Sequence, residues 1–161
     1  MDGPVFRLKK ILVPTDFSEA AIKALVYAQA FAIQSTAEIL LLHVVEPVFH
    51  PIHGAEIVPD RGLIQTELLN ASREHRQEFS RKHATGGVPP KLIVAEGIAW
   101  EQILETAKTE AADLIILSTH GRTRLRQVLL GSTMERVVRH AGCPVLTVRE
   151  QEREFVDQAG G

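Results

Sequence analysis

The chain has one cysteine, Cys143, among its 161 residues. No internal disulfide can form, and a zinc site would have to draw on histidine and carboxylate alone, a composition that fits a reducing compartment. An excess of either charge is also missing: 18 Lys+Arg against 20 Asp+Glu leave a formal net charge of −2. With both signs interspersed, there is no basis for the counterion release that drives a dedicated nucleic-acid binder, and DNA or RNA binding is not expected. Long apolar runs are absent too. Residues Met1 to Lys10 carry Arg7, Lys9 and Lys10 without the apolar segment of a secretory signal, and the longest apolar runs elsewhere are strand-sized. Neither a signal peptide nor a membrane span is expected, and the expected location is cytoplasmic. The sequence shows no internal repeat.

What is present is enough for one core. Apolar residues make up 45% of the chain, which suits a single domain over residues 1–150, followed by a charged, glycine-ended tail, 151–161, expected to fray. Five short apolar runs read as strands: Ile11 to Val13, Ile39 to Val45, Leu92 to Ala95, Leu114 to Leu117 and Val145 to Val148. Between them, apolar residues recur at the three-and-four spacing of helix faces. The first face is Ala21, Ala24, Leu25, Ala28, Phe31 and Ala32, and the second is Ile64, Leu68, Ala71, His75 and Phe79. The third is Ile103, Leu104, Ala107 and Ala111, and the fourth Met134, Val137, Val138 and Ala141. Strands that alternate with helices and are apolar on both faces predict a parallel sheet covered on both sides, a doubly wound α/β fold. Glu46 to Arg61, with Pro47, Pro51, Gly54 and Pro59, reads as a long loop.

In such a sheet, ligands collect beyond the carboxyl ends of the strands where the strand order reverses. After the first strand comes Pro14-Thr15-Asp16-Phe17-Ser18-Glu19, a rigid turn with a carboxylate but without the G-x-G-x-x-G of dinucleotide-binding folds. Asp16 also has the spacing of a helix N-cap, with Glu19 as its capping-box partner. After the fourth strand comes the stretch from Ser118 to Thr133. Gly121 lets backbone approach a ligand, Arg122, Arg124 and Arg126 add positive charge, and Gly131-Ser132-Thr133 leads into a helix whose unpaired amides attract anions. This is a candidate phosphate site. It is not a Walker A loop, since no Lys-Ser or Lys-Thr follows a glycine at the required spacing. Ser132 and Glu135 also fit a capping box, and the arginines also fit a solvated surface. His50 and His53 lack partners for a metal, so no metal site is expected. His43 reads as a satisfied histidine in the sheet, His120 as a neighbour of the site without partners for a triad, and Cys143 as a small buried residue at a strand entrance.

Lys10 to Ser18, Leu42-His43-Val44, Ser118 to Ser132 and Cys143-Pro144-Val145-Leu146 together resemble the universal stress proteins, over about Lys9 to Arg149. The family's nucleotide-binding members carry G-x2-G-x9-G-(S/T). Gly121, nine intervening residues and then Gly131-Ser132 match its latter part, while Ser118 stands where the first glycine would be. The resemblance implies an open five-stranded parallel sheet, Rossmann-like and similar to the adenine nucleotide alpha hydrolases. It implies that Pro14, Thr15 and Asp16, with the backbone near Val44, meet an adenine, and that Ser118 sits near the ribose. Gly121, Gly131, Ser132, Thr133 and Arg122 would hold phosphates, with His120 beside them. The implied ligand is ATP, or AMP or ADP, and a bound triphosphate commonly brings Mg or Mn. The resemblance further implies a homodimer through Val145 to Val148.

These readings converge on a nucleotide-binding module whose occupancy orders the loops around Gly121 and Glu46 and so changes the surface offered to a protein partner. Two alternatives stand beside it: a slow ATPase or nucleotidyl-transfer enzyme, and a nucleotide-free interaction dimer in which Ser118 marks the loss of the site.

Overall fold

The computed structural model describes residues 7–46, 62, 66–67, 69–70, 73, 87–119, 131–149, 152–153 and 155–156. Along them run β1 (Lys10–Pro14), α1 (Glu19–Ser35), β2 (Glu38–Val45), β3 (Lys91–Glu96), α2 (Ala99–Thr109), β4 (Leu114–Ser118), α3 (Ser132–His140) and β5 (Val145–Val148). All five expected strands are present. The helix expected from Ile64 to Phe79 lies almost wholly outside the described residues, although Gly62, Thr66, Glu67, Leu69, Asn70 and Arg73 are helical.

The strands form one parallel sheet in the order β3-β2-β1-β4-β5. Because side chains alternate across a strand, each central strand feeds two cores. Ile11, Val13, Ile39, Leu41 and Ile116 face α1, which contributes Ala24, Leu25, Tyr27, Ala28 and Ala32. Leu12, Leu40, Leu42, Ile115 and Leu117 face the other way, onto Ile103 and Ala107 of α2 and Met134 and Val137 of α3. Alanines on α1 bring that helix close to the sheet, where their small side chains fill the narrow gap without strain. The fold is the doubly wound α/β arrangement the periodicity predicts, with helices on both faces.

Two helix faces differ from expectation at their ends. Val138 is half exposed, since it follows Val137 by a single residue and so lies about 100° around the helix from it. Ala111 is not helical: α2 ends at Thr109, and Ala111 takes a left-handed φ of 54°. Its amide bonds Lys108 O and the amide of Ala112 bonds Ala107 O, the pair that defines a Schellman close. Thr36 closes α1 in the same left-handed region, at φ 59°. No glycine marks either stop, so the apolar period carries past the true end.

The amino ends of β1 and β4 are tied by Asp113. Its Oδ2 accepts from the amides of Lys9 (2.8 Å) and Lys10 (2.9 Å). Those two backbone bonds, Lys10 first, hold the carboxyl below the usual carboxylate range, assisted by the lysine charges and opposed by partial desolvation. A carboxyl depressed on folding contributes stability that is present above its unfolded pKa, near 3.9, and lost as pH falls through its folded value. The expected result is an acid-unfolding profile below about pH 4 that is shallower in Asp113→Asn than in the parent, read by circular dichroism. Identical profiles would show that this carboxylate adds nothing.

Among the terminal residues, the ring of Phe155 meets that of Tyr27 edge-on at 5.0 Å and Val156 packs against the α1 side of the core. Lys23 Nζ donates to the carbonyl of Arg149 at 2.8 Å, so α1 holds the chain as it leaves β5. No helix among the described residues is long and apolar enough to cross a membrane.

Candidate functional site

The chain builds β1, β2 and β3 outward in one direction, then crosses to lay β4 and β5 on the other side of β1. The reversal falls between β1 and β4, and the crevice for a ligand opens at their carboxyl ends. Four sequence-predicted groups stand there or just beyond: the Pro14–Ser18 turn after β1, Val44 near the end of β2, Ser118 at the end of β4 and Gly131-Ser132-Thr133 at the start of α3. Pro14 pairs with Leu42, three residues before β2 ends at Val45, while Ser118 pairs with Val148, so β4 and β5 end together. His120, Gly121 and Arg122, with Arg124 and Arg126, lie outside the described residues, as does the 47–61 segment.

The turn after β1 is held by its own polar side chains. Thr15 N donates to Leu42 O at 2.8 Å, carrying the β1–β2 ladder one residue past Pro14. Phe17 N then donates to Thr15 Oγ1 and Ser18 N to Asp16 Oδ1, both at 3.0 Å. Phe17 sits at φ 60°, a conformation that costs a bulky residue roughly 1–2 kcal/mol. The expected N-cap at Asp16 is corrected. Ser18 caps α1, its Oγ accepting from Ala21 N at 3.3 Å, while Asp16 braces the turn one step earlier. Asp16 lies two residues too early for the helix, whose start at Glu19 puts Ser18 at the cap.

The second expected capping box does not form either. Ser132 is the first helical residue of α3, Gly131 is its N-cap, and among the described residues no side chain caps that end. Glu135 instead takes Arg139 at 2.7 Å, one turn along the exposed face. With φ −52° and ψ 144°, Gly131 occupies a backbone region open to any residue. A Cβ built on it meets no described atom within 4 Å. Among the described residues nothing occupies the space before the first amides of α3 and no side chain bonds them, an arrangement that suits an anion.

Two contacts had no usable signal in the sequence. Glu46, read as the start of a loop, accepts from Ala99 N at 3.0 Å and so caps α2, whose N-cap residue Ile98 has no side-chain bond of its own. This long-range partner has none of the local spacing by which a cap is read. His43 is buried at 8% exposure, its Nδ1 lies 2.9 Å from Thr15 O, and its ring is 5.0 Å from that of Phe17. The sequence shows a histidine in an apolar strand, but not which backbone group satisfies it.

Away from the crevice, a groove of about 600 Å³ runs between α2 and α3, lined by Trp100, Leu104, Lys108, His140 and Cys143 among others. Arg136 lies over the Trp100 ring at 5.0 Å. Cys143 is half-buried, and burial, with the Asp113 charge behind it, raises its thiol above the ordinary range. A thiol held neutral in this way is a poor nucleophile. Among the described residues, no three His, Cys, Asp or Glu side chains gather as a metal site.

Comparison with known proteins adds a second line of observation. The model of the Universal stress protein family matches residues 7–149. Universal stress protein MJ0577 of Methanocaldococcus jannaschii is 32% identical over 155 residues, covering 89% of this chain and 96% of its own. The solved MJ0577 structure superposes with a TM-score of 0.71 at 30% identity, covering 92% of this chain and all of that one. UspA from Lactobacillus plantarum gives 0.68 at 31% identity, over 90% of this chain and all of its own. A universal stress protein solved in complex with cAMP shares the fold at 23% identity and a TM-score of 0.66, covering 89% of this chain and 98% of that one.

Proposed function

The chain belongs to the universal stress protein family, and we propose that it is a cytoplasmic adenine-nucleotide-binding module of the stress response, whose occupancy sets the surface offered to a protein partner. The observation that carries this reading is the start of α3. Among the described residues, it opens at Gly131 with no side-chain cap and with no atom within 4 Å of where a Cβ would stand. A phosphate there accepts from the first amides of the helix, and the helix dipole favours its charge.

The ligand contacts proposed are those that the family resemblance implies. Pro14, Thr15 and Asp16, with the Val44 backbone, meet the base; Ser118 meets the ribose; and Gly131, Ser132 and Thr133, joined by His120, Gly121 and Arg122, meet the phosphates. Ser118 ends β4, where a hydroxyl is small enough to stand beside a sugar. ATP, ADP and AMP share these contacts, and a divalent Mg or Mn would be held by phosphate oxygens and water rather than by a protein cage.

A switch needs two surface states that ATP stabilises unequally. The expected result is that saturating Mg-ATP slows proteolytic cleavage within residues 120–130 and 47–61 while cleavage of the tail is unchanged. Equal rates with and without ATP would remove the switch and leave only the binding site.

β5 pairs with β4 on one side, and no described strand adds to its other edge. An exposed edge recruits another strand, and a second copy through Val145–Val148 gives a closed dimer. Sedimentation equilibrium is expected to return twice the 17.8 kDa chain mass, and a monomer at every concentration would contradict it.

A further inference from the structure

We propose that His43 is a positioning residue for base recognition, holding the Thr15–Ser18 turn in the one shape that presents Asp16 to the ligand. The inference deepens the nucleotide reading and rests on it.

His43 is a polar residue where the strand pattern calls for an apolar one. Its neighbours Leu40, Leu41 and Leu42 are at most 4% exposed, and it is itself buried. Burying an imidazole without a partner is costly. The partner present is the carbonyl of Thr15, 2.9 Å from Nδ1. A carbonyl only accepts, so Nδ1 carries the proton and donates. That carbonyl belongs to the peptide joining Thr15 to Asp16, and the amide of Thr15 is already held by Leu42 O at 2.8 Å. Strand β2 thus grips Thr15 at both backbone groups, once through its own backbone and once through the His43 ring, and so fixes the peptide plane from which Asp16 departs.

The same ring supports the far side of the turn. Phe17 holds φ 60°, which an aromatic residue keeps only when its surroundings over-determine it. One restraint is its amide on Thr15 Oγ1, and another is its ring against His43, with centroids 5.0 Å apart and planes tilted by 41°. Asp16 lies between the two residues His43 touches, and its Oδ1 is oriented by the Ser18 amide. A side chain that only filled the core would need neither contact. Leucine would fill the same space while leaving the Thr15 carbonyl unbonded.

The test compares the parent with His43→Leu, which fills space without donating, and His43→Asn, whose side-chain amide donates from near the Nδ1 position. Dissociation constants for ATP, GTP and inorganic triphosphate are measured by calorimetry. The expected result is that His43→Leu loses about tenfold of the ATP-over-GTP preference, the worth of one hydrogen bond, with triphosphate affinity unchanged and the preference largely restored in His43→Asn. An unaltered preference in a folded His43→Leu protein, even with a lower melting temperature, would make His43 a structural residue only and overturn the inference. Should that variant not fold, nitrogen NMR of the parent decides: the His43 Nδ1–H resonance is expected to shift with ATP and not with triphosphate, and a resonance unmoved by ATP overturns the inference. A parent that binds neither ATP nor triphosphate overturns the nucleotide reading and this inference together, whereas a parent that binds ATP with an unaltered His43→Leu preference overturns this inference alone.

Discussion

Gly131→Val is expected to weaken ATP binding about a hundredfold while leaving the protein folded. The size follows from losing one or two amide-to-phosphate hydrogen bonds of roughly 1.5–3 kcal/mol each, at about 1.4 kcal/mol per tenfold. That the fold survives follows from the local geometry. Gly131 has ordinary backbone angles, and a Cβ there meets no described atom within 4 Å. On the proposed reading, a branched side chain there obstructs the phosphates and meets no described part of the protein. Its own cost is that of a poor N-cap, below about 1 kcal/mol. Calorimetric titration with Mg-ATP beside a thermal melt checks both halves. A folded variant with parental affinity would place the phosphates elsewhere and remove the role assigned to the start of α3.

The second large effect lies in the core. Ile116→Ala is expected to destabilise the protein by about 2–5 kcal/mol, a large share of the roughly 5–15 kcal/mol that holds a domain together. Ile116 is fully buried in β4, on the face covered by α1. The surrounding alanines of α1 are already packed close and have little side chain to move into the cavity. Denaturant titration measures the loss, and a value below about 1 kcal/mol would mean that α1 collapses onto the sheet. Nucleotide affinity of the folded variant is expected to stay near that of the parent, because Ile116 lies two residues inside the end of β4. The two substitutions thereby separate the scaffold from the site it carries.

Most of the fold was legible because its signals are local and periodic. The apolar runs of β1, β2 and β4 and the small-residue face of α1 report burial directly, and the alternation of strands with helices predicts the parallel doubly wound sheet. Helix ends were less legible, since Thr36 and Ala111 hold left-handed closes that glycine more commonly occupies. At the site, the residues that gather were readable from their position after strands. Their roles within the turn were not, because the Asp16–Glu19 spacing fits a capping box and only the observed helix start shifts the cap to Ser18. The Glu46 bond to Ala99 and the His43 bond to Thr15 join residues 53 and 28 positions apart. Long-range polar partners of this kind leave no spacing to read in a single sequence. The resemblance carried by Gly121 and Gly131-Ser132 supplied the ligand class, which periodicity alone does not provide.

The measurement that bears most directly on this account is a calorimetric titration of nucleotide-stripped protein with Mg-ATP. The account predicts saturable heat that GTP reproduces only weakly. No heat from a protein shown to be folded would contradict it, and would mean that Ser118 or its surroundings close the site and that the chain works as a nucleotide-free partner.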